Sequence, residues 1–266
     1  MKIGIVGCAG RMGRMLVQAV HQTPGAELAG GSEAKHSDAI GEDPALLAGL
    51  KASGLKITDD ARVLFEASDC VVDFTVPAAT VLHAGLAKET GTALVPGTTG
   101  LSADQQAVIE DAAQSVAIVQ AANYSVGVNL LLGLTEQVAS ILGDDFDIEV
   151  LEMHHRHKID APSGTALALG KAAAAGRGVS LDDVADRVRD GITGERTVGN
   201  IGFATLRGGM VVGDHSVIFA SDDERIEITH RAADRGLFAK GAIRAAMWAA
   251  SKDAGLYSMR DVLGFD

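Results

Sequence analysis

Five consecutive residues, His154, His155, Arg156, His157 and Lys158, carry or can carry positive charge in a 266-residue chain whose formal net charge is −12. A local inversion of the global field focuses an anionic small molecule without making the whole surface attractive to polyanions. Pro162 follows, and Ser163-Gly164-Thr165 then opens an Ala/Leu run that reads as a helix with Ser163 as its N-cap. A helix N-terminus presents unpaired N–H groups and the positive end of a dipole, which suits a carboxylate or phosphate. Proton donors and an anion seat so close in sequence predict a substrate site. Two other readings compete for the stretch. One is a solvated structural loop. The other is a His-x-x-His metal centre beside Glu152, which has no Cys to help it and has Lys158 to repel a cation, so no metal is expected.

A second set of residues points to a dinucleotide. Lys2–Val6 is a short apolar β run, followed by Gly7-Cys8-Ala9-Gly10-Arg11-Met12-Gly13 and then by Met15, Leu16, Ala19 and Val20 at helical spacing. Strand, glycine turn, helix is the context of a dinucleotide fingerprint, here spaced G-x-x-G-x-x-G. Gly7 permits the tight turn, Gly10 lets backbone N–H groups approach a pyrophosphate, and Gly13 lets helix and strand pack closely. After a second strand at Ala26–Gly30, Glu33 stands where a ribose-binding acid belongs, with a surface charge as the plainer reading. Cys8 is read as a small residue that fits the turn; a thiol activated by the helix N-terminus is the alternative.

These residues need a scaffold, and the pattern supplies one. Strands are expected at Leu55–Thr58, Cys70–Val76, Ala93–Val95 and Val116–Ala121, with helices at Ala61–Ala67, Ala78–Glu89 and Asp104–Ser115. Repeated β-α units with near-continuous apolar strands predict a parallel sheet covered on both faces, with ligands beyond the strands' carboxyl ends. From Val126 the pattern changes to a long helix to Leu142, a strand at Phe146–His154, the basic loop, and strands at Gly202–Arg207, Val211–Ser221 and Arg225–Arg231. A final helix, Phe238–Ala250, reads as a return to the first domain. The fold expected is α/β: a Rossmann-like doubly wound parallel sheet built from both chain ends, residues 1–125 and 235–266, plus an inserted α+β domain, residues 126–234, for substrate binding and oligomerisation.

Composition narrows the function. With 47% hydrophobic and 22% charged residues the chain is that of an ordinary folded protein, and the excess of acid argues against nucleic acid as a partner. No apolar run is expected to approach the roughly 20 residues of a membrane helix, and Met1-Lys2 leads directly into a strand without a signal-type segment. Two cysteines, Cys8 and Cys70, form no disulfide framework, so a cytoplasmic setting is expected.

The string Glu152–Ala166, E-M-H-H-R-H-K-I-D-A-P-S-G-T-A, closely resembles the dihydrodipicolinate reductases of bacterial lysine and diaminopimelate synthesis, and the likeness extends over essentially the whole chain. The resemblance implies NAD(P)H-dependent reduction of a cyclic unsaturated dicarboxylate imine, with His154 as general acid/base and Lys158 as proton donor. It implies that His155 and the backbone N–H groups of Gly164 and Thr165 hold the substrate's carboxylates, and it leaves Arg156 and His157 to structure or field. It places the nicotinamide against Gly97-Thr98-Thr99-Gly100 and Ala121-Ala122-Asn123-Tyr124, sets Arg235 and Phe238 near the cofactor, and implies a homotetramer. Relatives that use NADPH well commonly carry Arg after the ribose-binding acid. Here Ala34 follows Glu33, so NADH is expected to be favoured modestly, with NADPH usable through Lys35 or Arg11. Another two-domain nicotinamide-dependent dehydrogenase and a non-catalytic nicotinamide sensor are the competing functions, and His154–Thr165 argues against both.

Overall fold

The structure is a computed structural model that describes residues 1–265. The chain divides into two compact units, Met1–Val126 with Gly236–Asp266, and Gly127–Arg235. In the first, β1 (Lys2–Val6) is buried from Ile3 onward, as an uninterrupted apolar run requires. α1 (Arg11–Gln22) turns Leu16, Val17, Ala19 and Val20 inward. β2 (Glu27–Ser32), the one-turn α2 (Pro44–Leu47), α3 (Ala61–Glu66) and β3 (Cys70–Asp73) follow. α4 (Pro77–Thr90) starts with Pro in its first turn, where a missing N–H costs nothing, and β4 (Ala93–Pro96) comes next. α5 (Ala103–Ala113) starts with a capping box of Ser102 and Gln105, and β5 (Ala117–Val119) closes this run.

The second unit contains α6 (Val126–Leu142), which begins at the border between the units, and β6 (Asp147–His154), α7 (Gly164–Gly176), α8 (Leu181–Val184), β7 (Ala185–Asp186), β8 (Ile201–Arg207), β9 (Asp214–Ala220) and β10 (Arg225–Arg231). The chain then returns to the first unit as α9 (Gly236–Ala249), β11 (Gly255–Tyr257) and α10 (Met259–Leu263).

The first unit's sheet is parallel throughout, in the order β11-β5-β4-β3-β1-β2. One face packs on α1 and α9, joining Ile3, Ile5, Val72 and Val95 to Leu16, Val20, Ala242, Ile243 and Ala246. The other packs on α3, α4 and α5, joining Val71, Leu94 and Ile118 to Leu64, Ala84 and Ile109. Strand order reverses between β1 and β3, so the turn after β1 opens on the crevice where such sheets bind nucleotides. The fold is therefore the expected Rossmann-like sheet built from both chain ends.

The second unit's sheet is mixed, in the order β10-β9-β6-β8-β7. β6 runs parallel to β8 and antiparallel to β9. Its residues alternate half-buried and buried, so Ile148, Val150, Glu152 and His154 share the inner face. Ile148 and Val150 pack there with Leu131 of α6, Leu169 and Ala173 of α7, and Val217 and Phe219 of β9.

Three expectations need correction. Leu55–Thr58 forms no strand beyond a single bridge from Thr58 to Ser32, because Ile57 exchanges backbone bonds with Glu42 and Gly41 in a neighbouring turn. The strand from Cys70 stops at Asp73, whose carboxylate takes the N–H and hydroxyl of Thr75 and bends the chain. Val126–Asp145 is long and apolar enough to cross a membrane by length and composition alone. That corrects the expectation that no run approaches this length, although Leu131 and Ala139 of α6 are core residues of the second unit.

Candidate active site

The second unit builds one cluster around a buried carboxylate. Glu152 and His154 lie two residues apart on the inner face of β6, and Glu152 is 1% exposed. Sheet register sets Arg207 of β8 beside His154 and His215 of β9 beside Glu152. Arg207 grips Glu152 with both ends of its fork at 2.9 Å, and the same carboxylate takes the Nδ1–H of His154 and the backbone N–H of Ser163 at 3.0 Å. Burial alone raises the Glu152 carboxyl, but the bonds from Arg207, His154 and Ser163 outweigh it and hold the group below its ordinary range.

The basic loop leaves β6 against the turn after β8: Gly208 N–H donates to the His154 carbonyl, and Arg156 N–H to that of Gly209. Lys158 is half-buried and ion-paired with Asp160 at 2.8 Å, a bond that holds the Asp160 carboxyl below its ordinary range. His155 is also half-buried and its Nδ1 has no partner. Burial, then the charges of Arg235 and His157, lower its proton affinity. Ser163 caps α7 as expected, accepting from Ala166 N–H at 3.1 Å, so Gly164 and Thr165 form the helix's first turn. His215 Nε2 meets the Ser163 hydroxyl at 3.2 Å and its ring stands edge-on to His154, 5.0 Å away. Burial first, then the charge of His154, push His215 down to about 4. The cluster thus brings His154, His155, Lys158 and the α7 N-terminus together, with Arg235 electrostatically close to His155.

Glu152, His154 and His215 also bring three potential metal-ligand atoms within 4.8 Å of one another. Both Glu152 oxygens are already committed to four donors, two of them on a guanidinium whose charge opposes a cation, so the donor set does not fit a metal.

The first unit holds the dinucleotide residues. Gly7 has φ +66°, and a Cβ on Gly13 would stand 2.1 Å from the Gly7 carbonyl oxygen, so both glycines are dictated by geometry. Gly7 and Cys8 donate to the Ser32 carbonyl and Ala9 N–H donates to Glu33 at 2.8 Å, folding the turn against the end of β2. Gly10, Arg11 and Met12 carry the chain into α1, whose first-turn N–H groups open at the sheet's switch point. Gly7, Glu33, Lys35, Thr75 and His83 line a pocket of about 380 Å³. Glycine turn, helix N-terminus and acid-lined pocket fit a dinucleotide.

Asp73, fully buried, accepts from Thr75 and pairs with His83 Nδ1 at 2.8 Å; those bonds outweigh burial and lower its carboxyl. Gly97 presses on the Phe74 ring, where a Cβ would come to 2.4 Å. Thr98 is buried and bonded to Thr80, whereas Thr99 is exposed. Ala121, Ala122 and Asn123 keep some exposure. The side chains of Tyr124 and Cys8 both lie in the core of the first unit. Tyr124 is 1% exposed with its hydroxyl on the Pro96 and Val119 carbonyls, and the Cys8 sulfur is buried against Gly31. Burial, then the Glu33 charge, push the Cys8 thiol up to about 12, an inert state. From sequence, Arg207 and His215 have no place in the cluster around Glu152, and Glu152 itself is weighed only beside a metal. Only the i, i+2 spacing of Glu152 and His154 on one strand face could have drawn notice.

A parallel sheet with a glycine turn at its switch point and an acid closing its second strand defines a dinucleotide-binding protein of the Rossmann class. Joined to a unit with a buried imidazole, a lysine and an anion seat, it has the make-up of an oxidoreductase acting on a small anion. Comparison with known proteins narrows the class. Residues 1–124 match the family model of dihydrodipicolinate reductase, N-terminus, and residues 127–263 that of dihydrodipicolinate reductase, C-terminus. The 4-hydroxy-tetrahydrodipicolinate reductase of Afipia carboxidovorans is 55% identical over 99% of this chain and 97% of its own length. That of Rhodopseudomonas palustris is 54% identical with the same coverage. A dipicolinate-bound dihydrodipicolinate reductase from Paenisporosarcina sp. TG-14 shares the fold at TM-score 0.77 and 22% identity, covering 97% of both chains. The chain belongs to the dihydrodipicolinate reductase family, whose members are nicotinamide-dependent oxidoreductases.

Proposed function

We propose that this protein reduces 4-hydroxy-tetrahydrodipicolinate, by way of dihydrodipicolinate, to tetrahydrodipicolinate in lysine and diaminopimelate synthesis. The observation that carries the reading is the single cluster in which a buried imidazole, a lysine and a capped helix N-terminus meet. NAD(P)H, when bound, supplies the hydride. His154 and Lys158 then serve the proton: hydride addition leaves an enamine-like carbanion, and a positioned donor must protonate it. His155 and the N–H groups of Gly164 and Thr165 seat the two carboxylates, the helix dipole adding to the attraction. Residues 1–125 and 235–266 hold the cofactor through Gly7–Met12, Glu33, Gly97–Thr99, Ala121–Tyr124 and Arg235, with Cys8 and Tyr124 contributing backbone only. Residues 126–234 bind the substrate.

Glu33 accepts from a ribose diol and repels a 2′-phosphate, so NADH is modestly preferred, with Lys35 or Arg11 leaving NADPH usable. A homotetramer formed through the second sheet fits the exposure of Leu206 and Ile226 on that unit, at 48% and 36%. The setting is cytoplasmic.

The test is consumption of NADH or NADPH when the protein meets the condensation product of pyruvate and aspartate semialdehyde. Lys158→Met and His154→Gln should each lower turnover by about two to four orders of magnitude while NADH affinity stays near wild type. Normal turnover by both variants would remove the catalytic assignment.

A further inference from the structure

The four bonds that Glu152 accepts run to three separate parts of the substrate cluster. His154 Nδ1 lies on Oε2, Ser163 N–H on Oε1, and Arg207 spans both oxygens. Arg207 also donates to the Asp160 carbonyl at 2.7 Å, the residue whose carboxylate holds Lys158. The other imidazole nitrogen, Nε2, lies close over Gly213, where an added Cβ would crowd it at 3.0 Å. We infer that Glu152 is a positioning residue: its carboxylate sets the tautomer and direction of His154 and keeps that ring in register with the anion seat at the start of α7. The inference rests on the reading of His154 as a proton-transfer group.

The chemistry makes the carboxylate more than a brace. When His154 acts as an acid, the Nε2–H bond breaks, a C–H bond forms on the carbanion, and the ring is left neutral with its proton on Nδ1. That is the tautomer a carboxylate at Nδ1 accepts from. In Glu152→Gln the single amide oxygen is claimed by Arg207 and Ser163, so the NH₂ group faces Nδ1 and donates to it. The neutral ring then carries its only proton on Nε2, and giving that proton up would leave an imidazolate. The positioning carboxylate and the donor ring should therefore fail together. Arg207 keeps Glu152 charged and immobile, which suits an acceptor that must not swing away.

The experiment compares wild type, Glu152→Gln, His154→Gln and the double variant in full-length protein. Turnover is measured together with calorimetric binding of pyridine-2,6-dicarboxylate, a planar dicarboxylate that needs no protonation. Glu152→Gln should lose about a hundredfold in kcat, the usual scale for a partner that orients a functional group, while its affinity for the dicarboxylate changes less than about threefold. In the His154→Gln background the same change should lower kcat less than about twofold, because the ring it positions is gone. Nitrogen-15 NMR should find the His154 proton on Nδ1 in wild type and on Nε2 in Glu152→Gln. If Glu152→Gln does not fold, Glu152→Asp carries the test: it keeps the charge for Arg207, withdraws from Nδ1, and should show the same loss and the same non-additivity. Equal losses in both backgrounds, an unchanged tautomer, or wild-type turnover in the Glu152 variant overturn the inference. Normal turnover in His154→Gln overturns instead the proton-transfer reading beneath it.

Discussion

His215 gives the protein a measurable weakness to mild acid. The ring is 4% exposed and titrates at about 4 in the folded chain, against 6.5 for an unperturbed imidazole. Its folded value is depressed, so the unfolded chain binds a proton that the folded one refuses. The stability it supports is intact above pH 6.5 and is lost as pH falls toward 4. At roughly 1.4 kcal/mol per pH unit, the loss reaches about 2 kcal/mol at about pH 5 and about 3 kcal/mol at about pH 4. The carboxylates held low by hydrogen bonds, Glu152 and Asp73 among them, give way only at lower pH. His230 and His155 are lowered as well, so the wild-type slope alone does not isolate His215. His215→Gln removes the titrating ring and keeps a polar partner for Ser163. Urea unfolding followed by circular dichroism from about pH 7.5 to about pH 5 should show wild type losing about 2 kcal/mol more than the variant. Parallel slopes in the two proteins, or a His215 ring that titrates above about pH 6 by NMR, would refute the reasoning.

The remaining expectations follow from other sites. The Cys8 thiol should ignore alkylating reagents in the folded protein and react only on unfolding; rapid labelling that NADH suppresses would contradict its burial. Gly13→Ala would set a Cβ 2.6 Å from the Cys8 Cα, so α1 must move off β1. The variant should lose about 1–3 kcal/mol of stability and at least about tenfold in NADH affinity, measured by thermal melts and fluorescence titration; native affinity would show that the close approach is dispensable. Glu33→Ala should weaken NADH and raise the relative affinity for NADPH in paired titrations, and an unchanged ratio would count against its ribose role.

The parts of the protein legible in its sequence are those whose chemistry is local. Gly7 and Gly13 are forced by a left-handed turn and a backbone collision within one strand-turn-helix unit, so their spacing announces the unit. Ser163 caps its own helix, and α6 was foreseen to the residue because apolar periodicity over five turns is hard to mistake. Arg207 and His215 were illegible because sheet register, not sequence distance, carries them to Glu152. Tyr124 shows what residue type alone cannot tell: the ring within a segment expected to touch cofactor is a core residue with its hydroxyl satisfied by two carbonyls. Leu55–Thr58 has strand-like composition, but its backbone partners lie in a turn that no periodicity reveals. The three-residue β11 is too short for any pattern.

That last strand bears on how the protein is made. β11 pairs with β5 at the edge of the parallel sheet, and α9 lays Ala239, Ala242, Ile243 and Ala246, all fully buried, over its face. On the ribosome the first five strands emerge early, yet the helix that roofs them appears only after all of Gly127–Arg235 has been synthesised. During that interval Ile3, Ile5, Val72 and Val95 lack much of their cover, a state prone to aggregation. The inserted unit has no such wait, since its own sheet is complete once β10 leaves the exit tunnel. A nascent chain halted after Arg235 should therefore carry a protease-resistant second unit between an unroofed first half and the ribosome, and release of the C-terminal segment is the event that makes the nucleotide fold.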